Sequence, residues 1–163
     1  MKIEDVKKEL MAYKNNCKLI MSIEEEIEFY NSKLTSCTSQ ISQTPKGGSE
    51  VQDKIAEYIV KLEELKASKY SQLIELENKK AQVENAVHKL EQPFRNLLYL
   101  TYIQSCEYED QNGHTKTVIG HTLFETSYIM NYTYKYTCKL HGKALLEYLK
   151  VREHYDKHET NHS

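Results

Sequence analysis

The chain's 163 residues leave room for one domain or two small ones. Charged residues make up 28% of it, while glycine and proline together number seven, a balance of long helices that excludes turn-rich β structure. A net charge of −2 excludes a generally basic protein, no window approaches the roughly 18–20 apolar residues of a membrane span, and the opening MKIEDVKKEL lacks the apolar core of a signal peptide, so a cytoplasmic protein with no membrane partner is expected.

Apolar residues at Ile3, Val6, Leu10, Tyr13, Cys17 and Ile20 alternate steps of three and four, the mark of a heptad seam. After a step of three to Ile23 the seam continues through Ile27, Tyr30 and Leu34. Residues 35–49, TSCTSQISQTPKGGS, break this pattern, and Pro45 with Gly47-Gly48 predicts a loop. Ser49 can cap the next helix, with Gln52 as its capping-box partner. The second seam runs through Ile55, Tyr58, Leu62 and Leu65, then Leu73, Leu76, Val83, Val87 and Leu90, with Lys69 and Lys80 at two seam positions. Two antiparallel helices over residues 1–92 bury both seams most simply. Such a pair alone leaves apolar surface uncovered, so the hairpin is also expected to form a homodimer. The run Glu24–Glu26 reads as a solvated face.

Pro93 ends or bends the second helix, and Phe94, Leu97, Leu98 and Tyr102 mark a short amphipathic one. In the insert 106–120, Asn112-Gly113 predicts a type I′ turn between strands carrying Tyr108 on one side and Thr115, Thr117, Val118 and Ile119 on the other. The acidic arm of that hairpin (Glu107, Glu109, Asp110) would be repelled by DNA.

Residues 122–149 have the layout of a helix-turn-helix. Leu123 and Ile129–Met130 give its first helix an apolar side, and Asn131-Tyr132-Thr133 supplies the turn. Thr133 is an N-cap candidate for the second helix. Thr137, Leu140, Ala144, Leu145 and Tyr148 then recur at helical spacing as a buried face, while Tyr132 is assigned to core packing. Lys135, Lys139 and Lys143 form a cationic line on the other face, interleaved near the helix start with Tyr134 and Tyr136, where a recognition helix meets base edges.

These residues carry a resemblance. The stretch 93–149 resembles region 4 of sigma-70-type factors and, more closely, the phage regulators of the ArpU and RinA type. The matching residues are Pro93-Phe94-Arg95, Leu97-Leu98-Tyr99-Leu100, Tyr102-Ile103, Thr122-Leu123, Glu125, Ile129 to Thr133, Leu140-His141-Gly142 and Ala144-Leu145. The sequence departs from that pattern at Thr101, where arginine is expected, at Thr126 and Ser127, where an apolar-alanine pair is usual, and in the longer insert. The resemblance implies a DNA-binding transcription regulator of a bacterial host cell. In it Tyr134, Lys135, Tyr136 and Lys139 face the major groove, Thr122 and Lys143 approach phosphates, and Thr133 opens the reading helix.

Residues 122–152 carry five cations and two anions, a net of +3, against −2 for residues 1–92. Four phosphate contacts would give a log–log salt slope of roughly −3.6. One such module binds weakly, so a dimer or host RNA polymerase is the expected second contributor on double-stranded DNA.

No catalytic, cofactor or metal chemistry is expected. Cys138 and His141 lie three apart without a third orienting group, and the four cysteines (Cys17, Cys37, Cys106, Cys138) form no CxxC pair and read as reduced thiols. His154, His158 and His162 recur every four residues in a polar tail, 153–163, assigned no biological metal.

The expected protein is all-α, with a helical hairpin at 1–92 and a helix-turn-helix domain at 93–152. The alternative function is a phage or mobile-element interaction factor that inhibits or adapts a host protein through its coiled coil and tyrosine-rich surface. Thirteen tyrosines and only two arginines suit that alternative, since tyrosine is enriched at protein interfaces and arginine is the favoured guanine reader.

Overall fold

The computed structural model describes residues 1–43 and 49–159, with side chains for 1–39 and 50–154. The fold is mostly α, 79% helical, with five α-helices and one two-stranded antiparallel sheet among the described residues. In chain order these are α1 (Ile3–Gln43), α2 (Ser49–His88), α3 (Phe94–Leu98), a π-helical turn (Tyr99–Ile103), β1 (Ser105–Glu109), β2 (Thr115–Ile119), α4 (Leu123–Ile129) and α5 (Tyr134–Glu159). They fall into two compact units, one of residues 17–78 and one of residues 1–16 with 79–163.

The unit 17–78 is a pair of helical segments. Along α1 the buried positions Ile20, Ile23, Ile27 and Leu34 are the predicted seam, step of three included. Along α2 the seam differs from expectation. Leu62 is buried and Ile55 and Ile59 are half-buried, whereas Tyr58 and Leu65, predicted for the seam, are exposed. The half-buried Lys69 crosses to Glu26 at 2.7 Å, and this bond raises the Lys69 pKa. The run Glu24–Glu26 is therefore not wholly solvated, because Glu26 answers a lysine that stands at a seam position.

The predicted loop 35–49 is corrected over its first nine residues, since α1 continues through Gln43. The hydroxyls of Thr35, Thr38 and Ser39 donate to the carbonyls of Asn31, Leu34 and Thr35 at 2.9–3.0 Å. Such back-bonding satisfies these polar side chains without leaving the helix. The Pro45–Gly48 part of that loop lies outside the described residues, and Ser49 is the first residue of α2.

The second unit holds the other core. Val6, Leu10 and Tyr13 of α1 and Val83, Ala86 and Val87 of α2 are buried in it, as are Leu97 and Leu98 of α3 and Leu140, Ala144, Leu145 and Tyr148 of α5. Burying one such leucine is worth about 1.5–3 kcal/mol. Polar ties accompany the packing. Tyr13 donates to Glu84 at 2.5 Å, while Glu9 accepts from Tyr148 at 3.0 Å and pairs with Arg152 at 2.9 Å. The expected domain division at residue 92 thus does not match the division by compactness, because both ends of the helical hairpin supply core to the C-terminal helices.

Beyond the cis Gln92–Pro93 bond, α3 runs into the π turn, in which Gln104 N–H donates to Tyr99 O at 2.9 Å. The hairpin has the predicted strands, with Ser105 opposite Ile119 and Glu109 opposite Thr115. Its turn is corrected: only Gly113 has a positive φ, so the predicted type I′ geometry is absent. The Asp110 carboxylate accepts from the amides of Asn112 and His114 at 2.9 and 3.0 Å, which draws the turn one residue upstream and leaves Gly113 as its left-handed member.

Gly120 returns the chain to the helices. It has φ +73°, and a Cβ there would stand 2.1 Å from the Thr101 carbonyl oxygen. Gly120→Ala should therefore cost at least about 2 kcal/mol, seen as a fall of about 4 °C or more in the melting midpoint. An unchanged midpoint would remove Gly120 from this role.

Candidate nucleic-acid interface

The site is built outward from the end of the hairpin. Gly120 and His121 donate their amides to Gln104 O at 2.7 Å and Leu100 O at 2.8 Å, which delivers Thr122 to the start of α4. There the Glu125 amide donates to Thr122 Oγ1 at 3.2 Å, and Glu125 Oε2 accepts from the Thr122 amide and hydroxyl, both at 2.8 Å. These bonds hold the Glu125 carboxyl below its ordinary pKa. The Thr122 hydroxyl, expected to approach phosphate, is thus engaged in a capping box.

The packed side of α4 is not the predicted one. Thr126 and Ser127 are buried, while Ile129 is exposed and Leu123 and Met130 are half-buried. The buried Thr126 hydroxyl lies 3.3 Å from the Thr101 hydroxyl, and Ser127 donates to Phe124 O at 2.6 Å. Two of the positions at which the sequence departs from that resemblance therefore meet: the threonines satisfy one another where arginine was expected at 101 and an apolar residue at 126.

Asn131 makes the turn, with φ +56°. The Asn131 amide donates to Tyr128 O at 3.1 Å and the Tyr132 amide to Ser127 O at 2.9 Å, a pair of bonds that closes a helix through a left-handed residue. Thr133 then caps α5 as predicted, its hydroxyl accepting from the Tyr136 amide at 3.3 Å. The predicted inner face is buried at every position: Thr137, Leu140, Ala144, Leu145 and Tyr148.

The outer face presents the residues named from sequence. Tyr134, Lys135, Tyr136, Lys139 and Lys143 are all exposed, and the three lysines enter no ion pair among the described residues. Tyr132, assigned to core packing, is corrected to the surface, where it meets Tyr136 edge-on at 5.1 Å between ring centroids. The positive φ of Asn131 turns it out of the core.

Sequence reasoning missed Phe124 and Tyr128, which are 69% and 87% exposed. The Phe124 ring lies 6.0 Å from that of Tyr134, so α4 and α5 share one aromatic surface. The signal was present as a spacing of four within a short helix, a separation that places both rings on one side. The two arginines are both occupied elsewhere. Arg95 Nε donates to Leu90 O at 2.9 Å, and Arg152 pairs with Glu9.

Beneath the face, Tyr102 Oη and His141 Nε2 lie 2.9 Å apart with the rings stacked, and Lys14 stands over the Tyr102 ring. Burial raises the Tyr102 phenol, so it stays protonated and can donate to Nε2. Burial, reinforced by the Lys7 ammonium, lowers the His141 pKa. Cys138 and His141 form no pair: His141 is engaged by Tyr102, and Cys138 is exposed. Cys106 Sγ instead lies 3.6 Å from His121 Nε2. Among the described residues no group of three or more His, Cys, Asp or Glu is placed to hold a metal ion, and His158 and His162 lie outside the described side chains.

No protein-family model, curated protein or solved structure matches this chain.

The turn and the buried histidine each give a measurable outcome. Asn131→Gly should leave stability unchanged or raise it, whereas Asn131→Val should lower it by about 1–2 kcal/mol in denaturant titration; equal behaviour would remove the left-handed turn from the account. His141 contributes stability that is complete above its ordinary value of 6.5 and is lost as pH falls through that value toward the lower folded one. The melting midpoint should therefore drop from about pH 7.5 to about pH 5.5 more steeply in the parent than in His141→Gln, and equal slopes would contradict this.

Proposed function

We propose that the chain is a non-enzymatic DNA-binding regulator of the phage type, gripping duplex DNA through the outer face of α5. The observation that carries this reading is the exposed line of Lys135, Lys139 and Lys143, unpaired among the described residues and one helical turn apart. It begins at the capped N-terminus of a helix entered through a short left-handed turn, where the partial positive charge of the helix end adds to that of the lysines. Thr122 and Thr133 hold the two helices in place, and Tyr134 and Tyr136 flank the first lysine.

Three cations are few for one module, so the reading includes a second contributor, a second copy or the host RNA polymerase. A second copy is supported by Val51, Tyr58 and Leu65, exposed apolar residues at seven-residue spacing on α2, the arrangement of an unfilled coiled-coil stripe. The same stripe and the exposed rings of α4 favour the second reading, an interaction factor that binds a host protein.

The test is fluorescence anisotropy against duplex DNA across a salt series. Lys135→Glu/Lys139→Glu should weaken binding and flatten the log–log salt slope by about 1.8, two contacts' worth. Binding that ignores both changes would move the function to the coiled coil.

A further inference from the structure

We propose that the preferred partner of this face is DNA carrying unpaired bases, which stack on Phe124, Tyr128 and Tyr134 while Lys135 and Lys139 meet the phosphates. The inference rests on the DNA-binding reading above and narrows the form of DNA.

The aromatic surface is the first ground. Phe124 and Tyr134 lie ring to ring across the two helices at 6.0 Å, and Tyr128 stands one helical turn from Phe124 on the same side of α4. Tyr128 is 87% exposed and meets no other ring among the described residues. In a paired duplex the faces of the bases are closed to such rings, and only base edges are within reach. An unpaired base offers its face, and stacking on an aromatic side chain is indifferent to which base it is.

The second ground is the absence of edge readers from the α5 part of this face. From Tyr134 to Lys143 its exposed residues are tyrosine, lysine, cysteine and glycine, with no arginine, asparagine or glutamine to form a two-point contact with a base edge. Both arginines of the chain are engaged elsewhere, on Leu90 O and Glu9. The face has the charge and the rings to hold a strand and few means of reading a paired sequence.

Charge chooses between a nucleic acid and a protein as the occupant. An apolar protein surface seated on these rings would bring Lys135 and Lys139 out of water without counter-charge, a costly burial. A polyanion supplies that counter-charge at each step. The acid of α4, Glu125, is turned back onto Thr122 and is already hydrogen-bonded there.

The experiment compares the full chain on three labelled DNAs of one sequence: a paired duplex, the same duplex with a central mismatched bubble, and the single strand. The bubble should bind about tenfold tighter than the duplex or better. Phe124→Ser and Tyr128→Ser, both at exposed positions and checked by circular dichroism, should each weaken bubble binding about fivefold or more while leaving the duplex unchanged. Equal affinity for bubble and duplex overturns the proposal and leaves the DNA-binding reading standing. Ring variants that hold the bubble as tightly as the parent also overturn it and assign the rings to a protein partner. Absence of binding to all three at low salt overturns the DNA-binding reading itself.

Discussion

The helix-turn-helix of this protein depends on one close backbone crossing. At Gly120 the chain leaves the hairpin so near the Thr101 carbonyl that no side chain fits, and the amides of Gly120 and His121 bond back to the π-turn segment. That contact fixes where Thr122 stands, and Thr122 fixes the start of α4. The Thr101 hydroxyl faces the Thr126 hydroxyl from the same turn, so one short segment holds both the entry to α4 and its packed side. Every group on the outer face of α5 inherits its position from there, through the left-handed turn at Asn131.

Much of this was legible because it follows from periodicity. The α1 seam and the inner face of α5 are repeats of three and four, and the buried residues fall on them. Thr133 was legible as a cap because a hydroxyl before an apolar-periodic run has a donor to accept from. Other features depend on competition between neighbours. Thr35, Thr38 and Ser39 look like loop residues, yet inside a helix their hydroxyls find carbonyls one turn back. Asn112-Gly113 is a strong turn signal, but the carboxylate of Asp110 outcompetes it. On α2 two seams of similar quality exist, and the one with Ile59 rather than Tyr58 and Leu65 is the more covered, with Lys69 reaching Glu26. The aromatic surface was the least legible part, because rings of a short helix at a spacing of four ordinarily point inward. Here that side of α4 is occupied by small hydroxyls instead.

Those hydroxyls account for the rings. With Thr126 and Ser127 turned inward, a seven-residue helix has only its other sides for Phe124 and Tyr128. Polarity is thus inverted locally, hydroxyls inside and rings outside. A comparable division governs the cations. The two guanidinium groups serve the interior, closing Leu90 O and Glu9, while the ammonium groups of Lys135, Lys139 and Lys143 stay on the surface. A lysine keeps its hydration and acts as a point charge, so an outer face of lysines imposes little geometric demand on whatever meets it.

The π turn at Tyr99–Ile103 has a consequence for how such a protein can vary. A π turn is an α-helix with one residue too many, and each residue in a helix rotates the remainder of the chain by about 100°. Losing a single residue between Tyr99 and Ile103 would restore an ordinary helix and swing the departing strand about a quarter turn around its axis. The direction in which the hairpin leaves, and with it the fit of Gly120 against Thr101, is therefore a matter of reading frame along one helix. Relatives that lack the extra residue would need a different connection between the same helices, so the length of the segment 99–121 is expected to change in coupled steps rather than one residue at a time.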